Sequence, residues 1–170
     1  MSDSSATMTE REALARRFFE DGFNEGRVDA LDEVMSDDLV LHDPQLPPEQ
    51  RGTAGPRAVV ETYRGAFPDL HMTIDDVIEQ RDRVVIRWTG RGTHTGELNG
   101  LAPTDRTVEV TGITIQRIAG GRVAEAWSNW DTLGLLQQIG ASPAPGSLVE
   151  KVSVQVHRAA TLVDKKLHPR

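Results

Sequence analysis

The chain has 170 residues, a formal net charge of −7, no cysteine, and eight aromatic residues of which three are tryptophan. This length predicts one domain, and the lack of cysteine excludes disulfides, thiol catalysis and thiolate metal sites. The acidic charge argues against nucleic-acid binding, no apolar run approaches the roughly 20 residues of a membrane span, and the polar start MSDSSATMTE lacks secretory-signal features, so we expect a cytoplasmic protein.

The first half of the chain predicts helices behind a disordered tail over residues 1–8. Thr9 and Glu12 form a capping box, and apolar residues at helical spacing predict a helix over residues 10–24. A short second helix, a strand over residues 39–43 and a loop rich in proline and glycine follow. Pro56 suits the first position of a third helix, which Pro68 ends.

The second half predicts strands. Runs rich in β-branched residues lie at 71–80, 84–93, 107–118 and 123–131, with Gly120 and Gly121 forming a hairpin turn. A short helix over residues 132–139 ends at Gly140. Helices followed by a meander of strands indicate an α+β fold, in which a curved antiparallel sheet packs against the N-terminal helices and leaves a concave cavity.

The last 30 residues form a separate region. The domain is predicted over residues 9–140, and the proline-containing ASPAPG segment begins a linker at residue 141. Ser147 and Glu150 form a second capping box, and apolar residues at helical spacing predict an amphipathic C-terminal helix. Val152, Val154 and Val156 also alternate as in a strand, but the longer helical pattern favours the helix.

Several motifs occur in an order found in a known family. They are FPDLHMTIDDVI, GTHTGELNGLAPT, GGRVAEAWSNWDTLGLLQQIG and, upstream of these, VLHDP. Over about residues 10–140 the chain therefore resembles the SnoaL-like polyketide cyclase (ester cyclase) family. The resemblance implies the cone-shaped barrel of the nuclear-transport-factor-2-like superfamily and a homodimer, and it leaves residues 141–170 unexplained.

The resemblance implies that Asp131 is the general acid/base of an intramolecular aldol ring closure. Such a reaction needs a base held beside a carbonyl group in a dry pocket. On strand parity, Asp131 shares one face with three residues of the last strand, Glu125, Trp127 and Asn129. Spacing alone equally suits Asp131 as the N-cap of the helix that starts at Thr132.

Three further residues are candidates for the chemistry. Asn129 can donate a hydrogen bond to an enolate oxygen or orient the base, or be a satisfied strand-end amide. His94, where a strand enters a loop, suits a general acid or a substrate hydrogen bond, although a structural role is commoner for a histidine. Glu125 is either a second acid or the ion-pair partner of Arg87 or Arg117, and we favour the ion pair.

The aromatic residues predict a small hydrophobic or aromatic substrate. Trp88 and Trp127 are expected to face inward and stack on a flat ligand, with core packing as the alternative, whereas Trp130 is assigned to core or interface packing. Five other side chains are expected to contact the substrate, and core packing is the commoner role for the last two: His42, Glu125, Tyr63, Phe67 and Met72.

The favoured function is a cyclase that needs no cofactor. No H-E-x-x-H, G-x-G-x-x-G or P-loop motif is present, so neither a metal nor a nucleotide cofactor is expected. One alternative is a non-catalytic module for ligand binding or dimerisation, because the same fold serves many functions. Another is a hydrolase or dehydratase in which Asp131 and either Glu125 or Asp43 activate water.

Overall fold

The structure is a computed structural model that describes residues 8–43, 50–143 and 147. Residues 1–7 of the predicted tail and most of the predicted C-terminal extension, including its helix, lie outside the described residues.

The N-terminal helix has the predicted extent but two different geometries. Helix α1 (Glu10–Arg17) begins at Thr9, whose hydroxyl oxygen accepts a hydrogen bond from the backbone N–H of Glu12 at 3.0 Å. The chain continues as a π-helix over Phe18–Asn24, and a 3₁₀ turn (Val28–Ala30) then leads into α2 (Leu31–Val34). The other helices within the described residues are α3 (Ala54–Ala66) and α4 (Thr132–Gln138).

In the described ranges, six strands form one sheet in the order β2-β1-β6-β5-β4-β3. Their bounds are β1 Met35–His42, β2 Gln50–Arg51, β3 His71–Gln80, β4 Arg83–Thr93, β5 Thr107–Ala119 and β6 Arg122–Trp130. Four of the five strand pairs are antiparallel, as predicted, and β1 and β6 are parallel. The prediction of an α+β fold with helices against a sheet is confirmed.

A bulge in β6 decides which of its residues face the helices. Ile118 pairs with Val123, but the preceding residue of β5, Arg117, pairs with Glu125, so Ala124 is one extra residue on β6. Because side chains alternate along a strand, one extra residue moves every later side chain to the opposite face. The inward-facing residues beyond the bulge are therefore Ala126, Ser128 and Trp130.

Among the described residues, two hydrophobic clusters pack between the sheet and the helices. The larger joins α1, the π-helix and α2 to the concave face of the sheet, with Phe19, Leu31 and Ile86 fully buried. The smaller lies where α4 meets the chain after α3, around Phe67, Leu98, Val108 and Leu135. Among the helices of the described ranges, none combines the length and apolar character that a membrane crossing requires.

Candidate active site

A cavity opens between the concave face of the sheet and the helices. It has a volume of about 890 Å³ when the space at its mouth is included. Phenylalanines of the π-helix, residues of α3 and inward-facing residues of the sheet form a wall that is largely apolar and aromatic. A concave apolar site with a few polar groups is the usual form of a small-molecule binding site.

Asp43 is the one charged side chain among the described residues that line this cavity. It directly follows β1, so it points to the face opposite its neighbour His42. Tyr63, from α3, also lines the cavity and packs edge-on against Trp130, with ring centroids 5.5 Å apart. Burial raises the pKa of Tyr63 to about 12, and the negative charge of Asp43 adds to this rise. The cavity thus combines a carboxylate with a hydroxyl that stays protonated at neutral pH.

A cluster of hydrogen-bonding side chains lies on the strands of the cavity wall. The indole Nε1–H of Trp88 donates to the hydroxyl oxygen of Thr114 at 3.1 Å, and the hydroxyls of Thr114 and Ser128 are hydrogen-bonded at 3.1 Å. Gln116, two residues after Thr114 on the same face of β5, is also part of the wall. These polar side chains come from strands, whereas Tyr63 comes from a helix.

Four of the side chains expected to contact substrate line the cavity: Trp88, Tyr63, Phe67 and Met72. Trp130 does so too, although the sequence assigned it to core or interface packing. Gly112 is essential to this arrangement, because a Cβ there would lie 2.3 Å from Cζ2 of Trp88 and 2.8 Å from Cβ of Trp130. The glycine therefore lets two indoles share the wall.

The expectation that Trp127 faces inward is wrong, and Asn129 and Glu125 share its outward orientation because of the β6 bulge. His42 is on the same outer face, where its ring stacks on Trp127 with centroids 5.3 Å apart and planes at 6°. Nε2 of His42 is 3.0 Å from Oε1 of Glu125, whose Oε2 accepts from Nε of Arg117 at 3.1 Å. The hydrogen bond with His42, together with Arg117, holds the pKa of Glu125 below its usual value. The predicted ion pair with Arg117 is confirmed.

Asp131 is exposed and does not line the cavity. Its Oδ1 accepts a hydrogen bond from the backbone N–H of Gly134 at 2.8 Å, which makes it the N-cap of α4. The predicted pair of cavity carboxylates is likewise absent among the described lining residues, because Asp43 stands there without Glu125 or Asp131.

His94 is fully buried rather than placed at the rim of the cavity. Its Nδ1 is 3.1 Å from the hydroxyl of Thr104, and its ring packs against Phe67 with centroids 5.2 Å apart. Phe67 separates it from the cavity, since Phe67 is part of the wall and His94 is not. In the part of the chain that the structure describes, no group of three or more histidine or acidic residues is placed to hold a metal ion.

Most polar residues of the cavity wall were not predicted from the sequence. Asp43 was predicted only as one member of a possible carboxylate pair, and no role was predicted for Thr114, Gln116 or Ser128. The pattern of β5 contained a clue, because its even-numbered residues, buried at Val108 and Ile118, include Thr114 and Gln116. Polar residues on the buried parity of a strand need hydrogen-bond partners inside the protein or from a ligand.

The fold and the cavity define a class of protein, an α+β barrel whose sheet and helices enclose a small-molecule site. The sequence profile of the SnoaL-like polyketide cyclase family matches residues 13–139, and the chain belongs to this family. The nogalonic acid methyl ester cyclase of Streptomyces nogalater is 31% identical over 122 residues, which are 69% of this chain and 89% of that protein.

Solved structures of two Streptomyces proteins share this fold. AclR from Streptomyces galilaeus, which carries a provisional hydroxylase assignment, has a TM-score of 0.71 at 26% identity, covering 95% of this chain and 99% of that chain. IdmH from Streptomyces antibioticus, which carries a provisional polyketide-cyclase assignment, has a TM-score of 0.67 at 31% identity, covering 78% of this chain and 99% of that chain.

Proposed function

We propose that the chain is a cyclase that closes a ring in a polyketide-like or other small carbonyl compound by an intramolecular aldol reaction, without a cofactor. The observation that carries the proposal is that Asp43 is the one carboxylate among the described residues of the cavity wall, which also holds the protonated hydroxyl of Tyr63. Membership of the SnoaL-like polyketide cyclase family supports the same reaction class.

In the proposed reaction, Asp43 takes a proton from the carbon beside a substrate carbonyl. The enolate carbon then forms a C–C bond to a second carbonyl carbon of the same molecule, and the resulting alkoxide regains a proton from the Asp43 carboxyl group. No atoms leave, so the product is an isomer of the substrate. General base catalysis of this kind contributes about 10²–10⁴-fold to a rate.

Tyr63 is proposed to donate a hydrogen bond to the oxygen on which negative charge develops. A pKa of about 12 keeps its hydroxyl neutral throughout the physiological range, so the donor is always present. Donors placed in advance at a developing oxyanion stabilise the transition state, more strongly where water is excluded. The apolar walls around Tyr63 supply that exclusion.

The test uses the substrate named by the Streptomyces nogalater relative, nogalonic acid methyl ester, as a probe. The wild-type chain is expected to convert it into a product of unchanged mass and altered chromatographic retention. Asp43→Asn should lower kcat by at least about 100-fold, and Tyr63→Phe by about 10–1,000-fold. Tight binding of the probe without any product would instead support the non-catalytic binding module.

Asp131→Asn is the matched control, because asparagine is as good an N-cap as aspartate. If Asp43 is the base, this variant should keep kcat within about threefold of the wild type. A loss of turnover in Asp131→Asn, with Asp43→Asn unaffected, would transfer the role of base to Asp131, as the family resemblance implies.

We also propose that the chain is a homodimer. Sedimentation equilibrium of the full chain should then give twice the 18.7 kDa mass of one copy. A chain truncated after Gly140 reports whether the last 30 residues belong to the interface: a dimer of unchanged stability removes them from it.

A further inference from the structure

Gln116, one of the residues that line the cavity, carries a buried hydrogen-bond acceptor without a partner among the described residues. The side chain is 1% exposed, and its Nε2 donates to the backbone oxygen of Ala15 at 3.3 Å. Because that oxygen can only accept, the contact fixes which end of the amide faces α1. Oε1 is the other end of that amide, and it is buried without a hydrogen-bond partner among residues 8–43, 50–143 and 147.

A buried polar atom of this kind calls for an explanation, because most buried acceptors in folded proteins are paired. Gln116 lies among apolar neighbours, with Val84 directly opposite on β4 and Ala126 on β6. A hydrophobic side chain could pack there without leaving an orphaned acceptor, whereas Gln116 makes one hydrogen bond to Ala15 and leaves Oε1 unpaired. The position of Gln116 in the cavity wall indicates that a ligand supplies the missing donor.

The neighbouring hydroxyls supply the complementary group. Thr114 accepts from the indole of Trp88 and shares one hydrogen bond with Ser128. Two hydroxyls carry two protons, and their mutual bond uses only one of them. Whichever hydroxyl donates, the other keeps a proton that it can give to a ligand. The wall therefore offers an acceptor on Gln116 and a donor on Thr114 or Ser128.

We propose that this part of the cavity binds a hydroxyl group of the substrate, a phenol or an enol, which donates to Oε1 of Gln116 and accepts from the Thr114–Ser128 pair. A ketone or an ether cannot donate, and a carboxylate would place a negative charge against the amide oxygen. The inference rests on the proposed function for the identity of the ligand as a substrate. It adds that Gln116 selects hydroxylated carbonyl compounds over their ether or deoxy analogues.

The test compares two unreactive ligands that differ in this group, 6-hydroxy-1-tetralone and 6-methoxy-1-tetralone, by calorimetric titration of the full chain. The wild type should bind the hydroxy compound roughly tenfold more tightly, the value of one neutral hydrogen bond to a buried acceptor. In Gln116→Met the two affinities should come within about twofold of each other, with methoxy binding retained. Thr111→Val, on the exposed face of the same strand, is the matched control and should keep the tenfold preference.

Equal binding of the two ligands by the wild type would overturn the inference, and this comparison does not depend on a variant folding. A preference that survives in Gln116→Met, or no measurable binding of either ligand, would overturn it as well. The outcome is separate from that of the proposed function. A preference for the hydroxy compound without cyclisation of the probe supports the hydroxyl site and contradicts the proposed catalysis. Cyclisation without such a preference supports the catalysis and contradicts the hydroxyl site.

Discussion

Tyr63 is the single tyrosine of the chain, so tyrosinate absorbance measures the pKa of its hydroxyl without interference from another tyrosine. Burial and the charge of Asp43 raise its pKa from 10.0 to about 12. Since burial is the larger cause, Asp43→Asn should lower the pKa of Tyr63 by less than about one unit and leave it above 10. Tyrosinate absorbance near 295 nm, recorded milliseconds after a pH jump, reports this pKa before alkaline unfolding intervenes.

The same shift predicts how stability depends on pH. The unfolded chain loses the Tyr63 proton near pH 10, whereas the folded chain holds it to about pH 12, so stability is full below pH 10 and is lost as pH rises through that window. Two pKa units correspond to about 2–3 kcal/mol of unfolding free energy. The wild type should lose this amount between pH 10 and pH 12, whereas Tyr63→Phe should not. A wild-type pKa near 10, or one that rises in Asp43→Asn, would refute the placement of Tyr63 beside Asp43 in a water-poor cavity.

Three further predictions concern the walls and ends of the sheet. Gly112→Ala places a Cβ 2.3 Å from Trp88 and should lower Tm by about 3–10 °C, whereas Gly65→Ala, with no atom within 4 Å of the new Cβ, should cause no loss; calorimetry compares the two. Asp131→Ala should lower Tm by about 2–4 °C through the lost cap of α4, and Asp131→Asn should not. Glu125→Gln should lower Tm by about 1–3 °C at pH 7. The difference from wild type should vanish as pH falls below the ordinary glutamate pKa of 4.5. The reason is that the interactions that lower the pKa of Glu125 stabilise the fold only while its carboxylate is charged. A Gly112→Ala or Asp131→Ala variant with the Tm of the wild type contradicts the prediction for that variant. A Tm difference between Glu125→Gln and wild type that persists at acid pH contradicts the third prediction.

The order and type of the elements could be predicted because they depend on local chemistry. The strand over His71–Gln80 and the hairpin turn at Gly120 and Gly121 follow from β-branched content and from backbone that favours glycine. The parallel pairing of β1 with β6 could not be predicted, because it joins strands about 85 residues apart whose register no local pattern encodes. The π-helical geometry of Phe18–Asn24 also escaped, since periodicity indicates a helix without distinguishing its hydrogen-bond spacing.

The candidate site was harder to predict because one residue reverses the outcome. Alternation along β6 placed Glu125 and Trp127 on one face correctly, but the bulge at Ala124 decides that this face is the outer one. No residue type in the turn or the strand indicates the extra residue. The composition of the face, with two carboxylates, an amide and an indole, was typical of a functional site. On the outer face, His42 and Arg117 pair with Glu125 and the ring of His42 stacks on Trp127, while Asp131 caps α4. Polar side chains on the buried parity of a strand, as at Gln116, are therefore the stronger indication of a ligand site than polar side chains clustered at a strand end.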